Sequence, residues 1–255
     1  MHGVIDTHAH LEEIAGLEQV LRTAKLSNVI AIIAVGSDAG SNQRVLDIAR
    51  HYPGFVFPAL GLHPFNLNNA NIQNDLDFIE DHADEAVGIG EIGLDYHKRV
   101  LASASKDIQK RVFLDLLRLA ARHNKVALIH SRYAWRDCLN LYEESKLERA
   151  VFHWYTGPSS VLRDILAHGL YISATPAVEY HQEHRRAVRE APLDHLLLET
   201  DSPVIYARGR EGEYQASPVD VRRSLEGTAQ LKGVPASEIA ETTTQNAMRL
   251  FGFSL

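Results

Sequence analysis

The sequence predicts a (β/α)8 barrel of the TIM type with two closing helices at its C-terminal end. Three observations lead there. Eight short apolar runs alternate with segments of helical spacing, without a linker, repeat or low-complexity stretch. Acids and histidines follow those runs one after another. The position after the first run, where a doubly wound sheet would carry a glycine-rich phosphate loop, holds Asp6-Thr-His-Ala-His10 instead.

The strands are read at Val4–Asp6, Val29–Val35, Phe55–Leu60, Ala86–Gly90, Val126–Ile129, Ala150–Phe152, Leu170–Ser173 and Leu196–Glu199. Each is short and apolar, and most are bounded by Gly, Pro, His or Asp. The clearest helix is Asp107–His123, where Ile108, Val112, Phe113, Leu116, Leu117, Leu119 and Ala120 form one apolar stripe. Others are expected at Leu17–Lys25, Gln43–His51, Ile72–His82, Trp135–Ser145, Ser159–His168 and His184–Glu190. Val219–Leu231 and Ser237–Phe251, the latter preceded by Pro235, read as the closing pair.

A chain of 255 residues suits one such barrel, so residues 1–255 are read as a single domain. With 45% apolar and 23% charged residues it has ample material for a core. Val29–Val35, the longest clean aliphatic run, is far too short to span a bilayer. Asp6 and His8 interrupt the first apolar stretch, against a signal peptide. The lone Cys138 lies in a helical segment and reads as a small buried hydrophobe. These features lead us to expect a cytoplasmic protein, of an oligomeric state that the sequence leaves open. A net charge of -7 disfavours a broad duplex-DNA surface, which needs a basic face. It leaves room for a nucleic-acid end in a pocket where bound cations supply positive charge.

Active sites of such barrels sit at the C-terminal ends of the strands. His8 and His10 follow the first strand, His63 the third, Glu91 the fourth, His130 the fifth, His153 the sixth and Asp201 the eighth. An isolated His-x-His is weak evidence, although in extended backbone both rings point to the same side. A carboxylate such as Glu91 after a buried strand is costly unless paired or metal-bound. Four histidines (His8, His10, His130, His153) and two carboxylates exceed the needs of one tetrahedral ion. The set fits two divalent ions bridged by Glu91, roughly 3.5–4 Å apart as in other two-metal hydrolases. Imidazole-rich ligation favours zinc, manganese or iron, while the carboxylates admit magnesium. His2, His51, His82, His97, His123, His168 and His195 read as surface groups. His181 and His184 lack the His-Glu-x-x-His spacing and read as a solvated helix start.

The ordered motifs resemble the TatD family of metal-dependent deoxyribonucleases, a branch of the amidohydrolase-like barrels. The matching pieces are Asp6-Thr-His-Ala-His-Leu11, Gly61-Leu-His-Pro64, Gly90-Glu-Ile-Gly-Leu-Asp-Tyr96, His130-Ser-Arg132, His153 with Gly157, Leu197-Leu-Glu-Thr-Asp-Ser-Pro203 and Asn246-Ala-Met-Arg-Leu-Phe251. The resemblance implies a distorted barrel with a two-metal centre. By that likeness His8, His10 and Asp201 would bind one ion, His130 and His153 the second, Glu91 would bridge, and His63 would contact a substrate phosphate. Family members are 3′-to-5′ exonucleases or phosphodiesterases, and some relatives deacylate D-aminoacyl-tRNA.

Three stretches depart from the family pattern. His153-Trp-Tyr-Thr-Gly157 is bulkier and more aromatic than usual, so that Trp154 and Tyr155 either stack a base or pack under the rim. The seventh strand leads into Ser173-Ala-Thr-Pro176. Arg208-Gly-Arg-Glu-Gly-Glu213 replaces a more basic segment. The expected activity is hydrolysis of a phosphodiester at the end of a short single-stranded DNA. Asp201 would take the proton of the attacking water, and His63 and Arg132 would position the phosphate. Ester or amide hydrolysis, as in a D-aminoacyl-tRNA deacylase, is the alternative chemistry. A catalytically silent metal-binding barrel is the alternative of another class.

Overall fold

The computed structural model describes residues 2–67 and 71–254. Eight parallel strands follow one another in sheet order, β1 to β8: Val4–Ala9, Val29–Val35, Val56–Leu60, Gly88–Gly93, Val126–His130, Ala150–Phe152, Tyr171–Ala174 and Leu196–Leu198. Between them run α1 (Leu17–Leu26), α2 (Ala39–His51), α3 (Ile72–His82), a short α4 (Lys98–Leu101), α5 (Lys106–Arg122), α6 (Trp135–Ser145), α7 (Ser159–Ala167) and α8 (Gln182–Glu190). A small antiparallel hairpin, β9 (Ile205–Tyr206) with β10 (Tyr214–Gln215), precedes the closing helices α9 (Val221–Lys232) and α10 (Ala236–Phe251). Among the described residues no helix is long and apolar enough to cross a membrane.

Alternation along the strands divides the core in two. In β2, Ala31, Ile33 and Val35 fill the barrel interior, while Ile32 and Ala34 face the helices. Ala247, Leu250 and Phe251 of α10 join the interior cluster, so the last helix plugs one end of the barrel. The Asn246 amide secures that helix, donating to the carbonyls of Leu193 and Leu196 at 2.9 Å. On α5 the expected stripe is buried from Val112 to Ala120, and the Ser105 hydroxyl caps its first turn. α2 starts four residues earlier than periodicity suggests, because the Asp38 side chain accepts from the Ser41 amide and satisfies the first turn.

The seam between β1 and β8 is where the barrel departs from regularity. The strands are joined there by loop contacts rather than a ladder. The Asp201 amide donates to the His8 carbonyl at 2.9 Å, and the His10 amide to the Ser202 carbonyl at 2.8 Å. The buried Asp6 carboxylate accepts from the Thr200 amide at 2.9 Å and its hydroxyl at 2.6 Å. β1 and β4 also run further than the sequence suggests. Each carries an irregularity in its pairing, after which the ladder resumes at Ala9 and at Ile92. His8 and Glu91 therefore lie within strands rather than after them. At Gly61 an added Cβ would come within 2.4 Å of the Glu91 backbone, so only glycine lets the end of β3 pass there.

His184 corrects the reading of a solvated helix start. It is fully buried, its Nδ1 3.0 Å from the Tyr155 carbonyl oxygen and its Nε2 3.0 Å from the Thr175 amide. A carbonyl only accepts and an amide only donates, so the ring is neutral with its proton on Nδ1. Burial pushes its pKa down from 6.5 to about 4. The unfolded chain takes up this proton near pH 6.5 and the folded chain only near 4. The contribution of His184 is therefore intact above pH 6.5 and is lost as the pH falls toward 4, by up to about 3 kcal/mol. Urea unfolding at pH 7 and pH 4 should show a larger loss in the wild type than in His184→Gln. Equal losses would clear His184 of this role.

Candidate metal centre

The strand ends open into a cavity of about 1020 Å³. Glu91 lies at its floor, buried, with its two oxygens facing different imidazoles. Oε2 is 3.4 Å from Nε2 of both His8 and His10. Oε1 is 2.7 Å from His153 Nε2 and 2.8 Å from His130 Nδ1, with His63 Nε2 beyond at 3.5 Å. Asp201 Oδ1 stands 3.6 Å from His8 Nε2 and 3.5 Å from His10 Nε2. The residues singled out in the sequence thus converge on one site. Arg132 lies at its wall.

The separations around Glu91 Oε2 suit a cation, whereas those of Oε1 from His153 and His130 are hydrogen-bond lengths. Ligands about 2.0–2.1 Å from a tetrahedral ion lie about 3.3–3.4 Å from one another. The contacts of His8 and His10 with Glu91 and Asp201 run from 3.4 to 3.6 Å. His8 is fully buried, yet its Nε2 has no hydrogen-bond partner among the described residues, a costly arrangement unless a ligand fills it. On the other side of Glu91, His130 Nδ1 and His153 Nε2 face each other at 3.3 Å and share Oε1. The His153 ring stacks on His8 at 4.2 Å and so touches both groups. Asp201 holds a left-handed backbone, φ 51°, fixed by its bond to the His8 carbonyl. Strain of this kind in a non-glycine residue concentrates at working sites.

The electrostatics keep the acids charged. Burial alone would raise the Glu91 carboxyl, but the His63, His153 and His8 rings outweigh it and hold its pKa well below the usual range. Asp201 is lowered in the same way against its burial, chiefly by its bond with His10. Despite burial, His10 is raised well above 6.5 by Asp201 and Glu91, and His130 is raised by Asp95 and Glu91. His63 is lowered by burial.

Asp95 and Glu199 stand behind the histidines, and neither received a role from the sequence. Asp95 is fully buried, its Oδ2 3.2 Å from His130 Nε2 and 2.7 Å from Arg132 Nη2. Glu199 Oε1 accepts from the Trp154 amide at 2.9 Å and faces His153 Nδ1 at 3.5 Å. Both belong to the motifs already quoted, and an acid repeating beside a ligand motif was the available signal. Tyr155 lies in the core, with its hydroxyl donating to the Pro158 carbonyl at 2.9 Å, so of the proposed stacking pair only Trp154 reaches the cavity. Cys138 is buried, as expected. Among the seven histidines read as surface groups, none is buried.

Comparison with known proteins follows the same lines. The family model for TatD related DNase matches residues 5–252. The chain belongs to the TatD family. Deoxyribonuclease TATDN3 of Homo sapiens is 33% identical, covering 98% of this chain and 94% of that protein. The uncharacterized metal-dependent hydrolase YabD of Bacillus subtilis is 34% identical, covering 97% and 98%. The crystal structure of YJJV, a TatD homolog from Escherichia coli, superposes with a TM-score of 0.89 at 27% identity, over 98% of each chain. Membership makes the chain an enzyme of a hydrolase family, and its barrel is the TatD barrel.

Carboxylates that orient ligating histidines typically contribute 10- to 100-fold to metal affinity. Replacing Asp95 by Ala frees both His130 and Arg132. Competition titration with a chromogenic chelator should show divalent-ion affinity reduced by about that factor. Unaltered affinity would confine Asp95 to a packing role.

Proposed function

We propose that this TatD barrel acts as a single catalytic domain, a two-metal phosphodiesterase that removes nucleotides from single-stranded DNA ends in the 3′-to-5′ direction. The observation that carries the reading is Glu91, with one oxygen facing His8 and His10 and the other facing His130 and His153. His8, His10, Asp201 and Glu91 would hold one divalent ion; Glu91, His130 and His153 would hold the other. The name of the human relative, a deoxyribonuclease, supports the substrate class. When bound, zinc, manganese or magnesium ions here would lower the pKa of a coordinated water and offset charge on phosphoryl oxygens.

The chain's own groups do the rest. Asp201, ionised and facing the cavity, takes a proton at its carboxylate as water attacks phosphorus. The bond from phosphorus to the departing oxygen breaks, and that oxygen leaves as a hydroxyl with a proton from solvent. His63, kept neutral by burial, and the guanidinium of Arg132, braced on Asp95, position the phosphate. The cavity lining also carries the carboxylates of Glu13, Asp38 and Glu183, which disfavour the second phosphate chain of a duplex. With the net charge of -7, this favours a single flexible end over a broad duplex.

Elemental analysis should find up to two divalent ions in the wild type and loss of binuclear occupancy in Glu91→Ala. Full occupancy in that variant would remove Glu91 from the bridge. Asp201→Asn keeps the shape and one oxygen but loses the charge, so the other ligands should retain much of the metal while kcat falls by roughly 10²–10⁴. Near-wild-type kcat with full metal would exclude Asp201 as the base. Oligonucleotides labelled at the 5′ end, single- or double-stranded and of graded length, test polarity and strandedness. A D-aminoacyl-tRNA assayed in parallel separates phosphodiester from acyl hydrolysis. A preference for internal duplex cleavage would contradict the proposal.

A further inference from the structure

Phe65 and Tyr133 are two of the three large hydrophobic side chains that stand exposed among the described residues, 47% and 59% respectively. The third, Leu26, ends α1 and is no part of the cavity. Both aromatics line the cavity that holds the metal centre. A single exposed aromatic is ordinary on a protein surface, but two on the lining of one cavity point to a ligand there.

Their surroundings fix what they face. Phe65 follows His63-Pro64, and its ring stacks against the His63 ring, with centroids 5.1 Å apart and planes 18° from parallel. The Arg132 guanidinium carbon lies 5.5 Å from the Phe65 centroid. Tyr133 is the next residue along from Arg132. It has a left-handed backbone, φ 59°, a conformation rare for a bulky side chain, and its ring meets Trp135 edge-on at 5.9 Å. The two phosphate-positioning groups, His63 and Arg132, therefore each carry an exposed aromatic beside them. A flat apolar face next to a phosphate contact matches a nucleotide unit, in which a base sits one sugar away from its phosphate.

We infer that Phe65 and Tyr133 form a stacking platform for the unpaired base of the nucleotide whose phosphate lies at His63 and Arg132, making them specificity-determining residues for single-stranded ends. The inference rests on the phosphodiesterase reading above and deepens it. Stacking of this kind tolerates every base, because each has a π-face, but it needs a base free of its neighbours. A base locked within a duplex stack cannot reach the platform.

The test uses the full-length, metal-loaded enzyme and single-stranded oligonucleotides whose terminal nucleotide is either normal or abasic. Phe65→Ala and Tyr133→Ala are compared with Phe65→Tyr and Tyr133→Phe, with metal content measured on every preparation. In the wild type, removing the terminal base should raise KM by about 5- to 150-fold, the span of base–aromatic stacking losses, with a smaller change in kcat. Each alanine variant should raise KM for the normal end and shrink the abasic penalty, while the aromatic replacements restore both. Independent, multiplicative effects of variant and abasic end would overturn the platform, as would an unchanged KM in both alanine variants. Those results leave the phosphodiesterase reading intact if the wild type still cuts the oligonucleotides. A wild type inactive on every oligonucleotide but active on an acyl ester would overturn both.

Discussion

Closure of the barrel between its first and last strands is the constraint on which the site depends. β8 ends at Leu198 and pairs with β7, and the chain beyond it completes the seam with β1. Thr200 binds the buried Asp6 carboxylate, Asp201 donates to the His8 carbonyl, and His10 donates to the Ser202 carbonyl. Burying the Asp6 carboxylate costs free energy, which raises its pKa well above the usual range, and the Thr200 bonds offset part of that cost. The same backbone bonds that close the barrel set Asp201 facing His8 and His10. Closure and site assembly are thus one event.

Around Glu91 the protein gathers five imidazoles within 3.5 Å of a single buried carboxylate. Two of these rings have an acid behind them, whereas His8 Nδ1 and His10 Nδ1 have no hydrogen-bond partner among the described residues. Asp95 stands behind His130 and on Arg132 in turn, while Glu199 faces His153. The close packing leaves no room for side chains at some backbone positions. Gly61 and Gly93 are two of them, since a Cβ would strike the Glu91 backbone at the first and the His130 carbonyl at the second.

The aromatic residues near the cavity divide between packing and exposure. Tyr155, conspicuous in the sequence, is spent on packing, and Trp154 lies over Tyr206 of the hairpin at 5.3 Å. The hairpin arises because Tyr206 is buried with Ala177 and Ala216, while the Arg208–Glu213 turn is left mostly exposed beyond it. Phe65 and Tyr133, each adjoining a group already noticed for its chemistry, take the exposed positions instead.

The sequence by itself determined the order of the elements and the residues that meet in the cavity. Apolar runs of strand length and stripes of helical spacing are local properties, so β2, β6, α3 and α6 have the bounds that periodicity suggests. Histidines and acids after such runs gather at one end because parallel strands all point the same way. Only the tertiary structure decided what depends on partners distant in the chain. The two-sided surroundings of Glu91 require four other strands, and the extra length of β1 and β4 requires the neighbours that resume their ladders. His184 shows the division most plainly. Its sequence context is polar and charged, yet the Tyr155 carbonyl, 29 positions away, and the Thr175 amide bury and neutralise it. Periodicity reports which face of an element turns inward, whereas a buried polar group is decided by hydrogen-bond partners that only folding brings within reach.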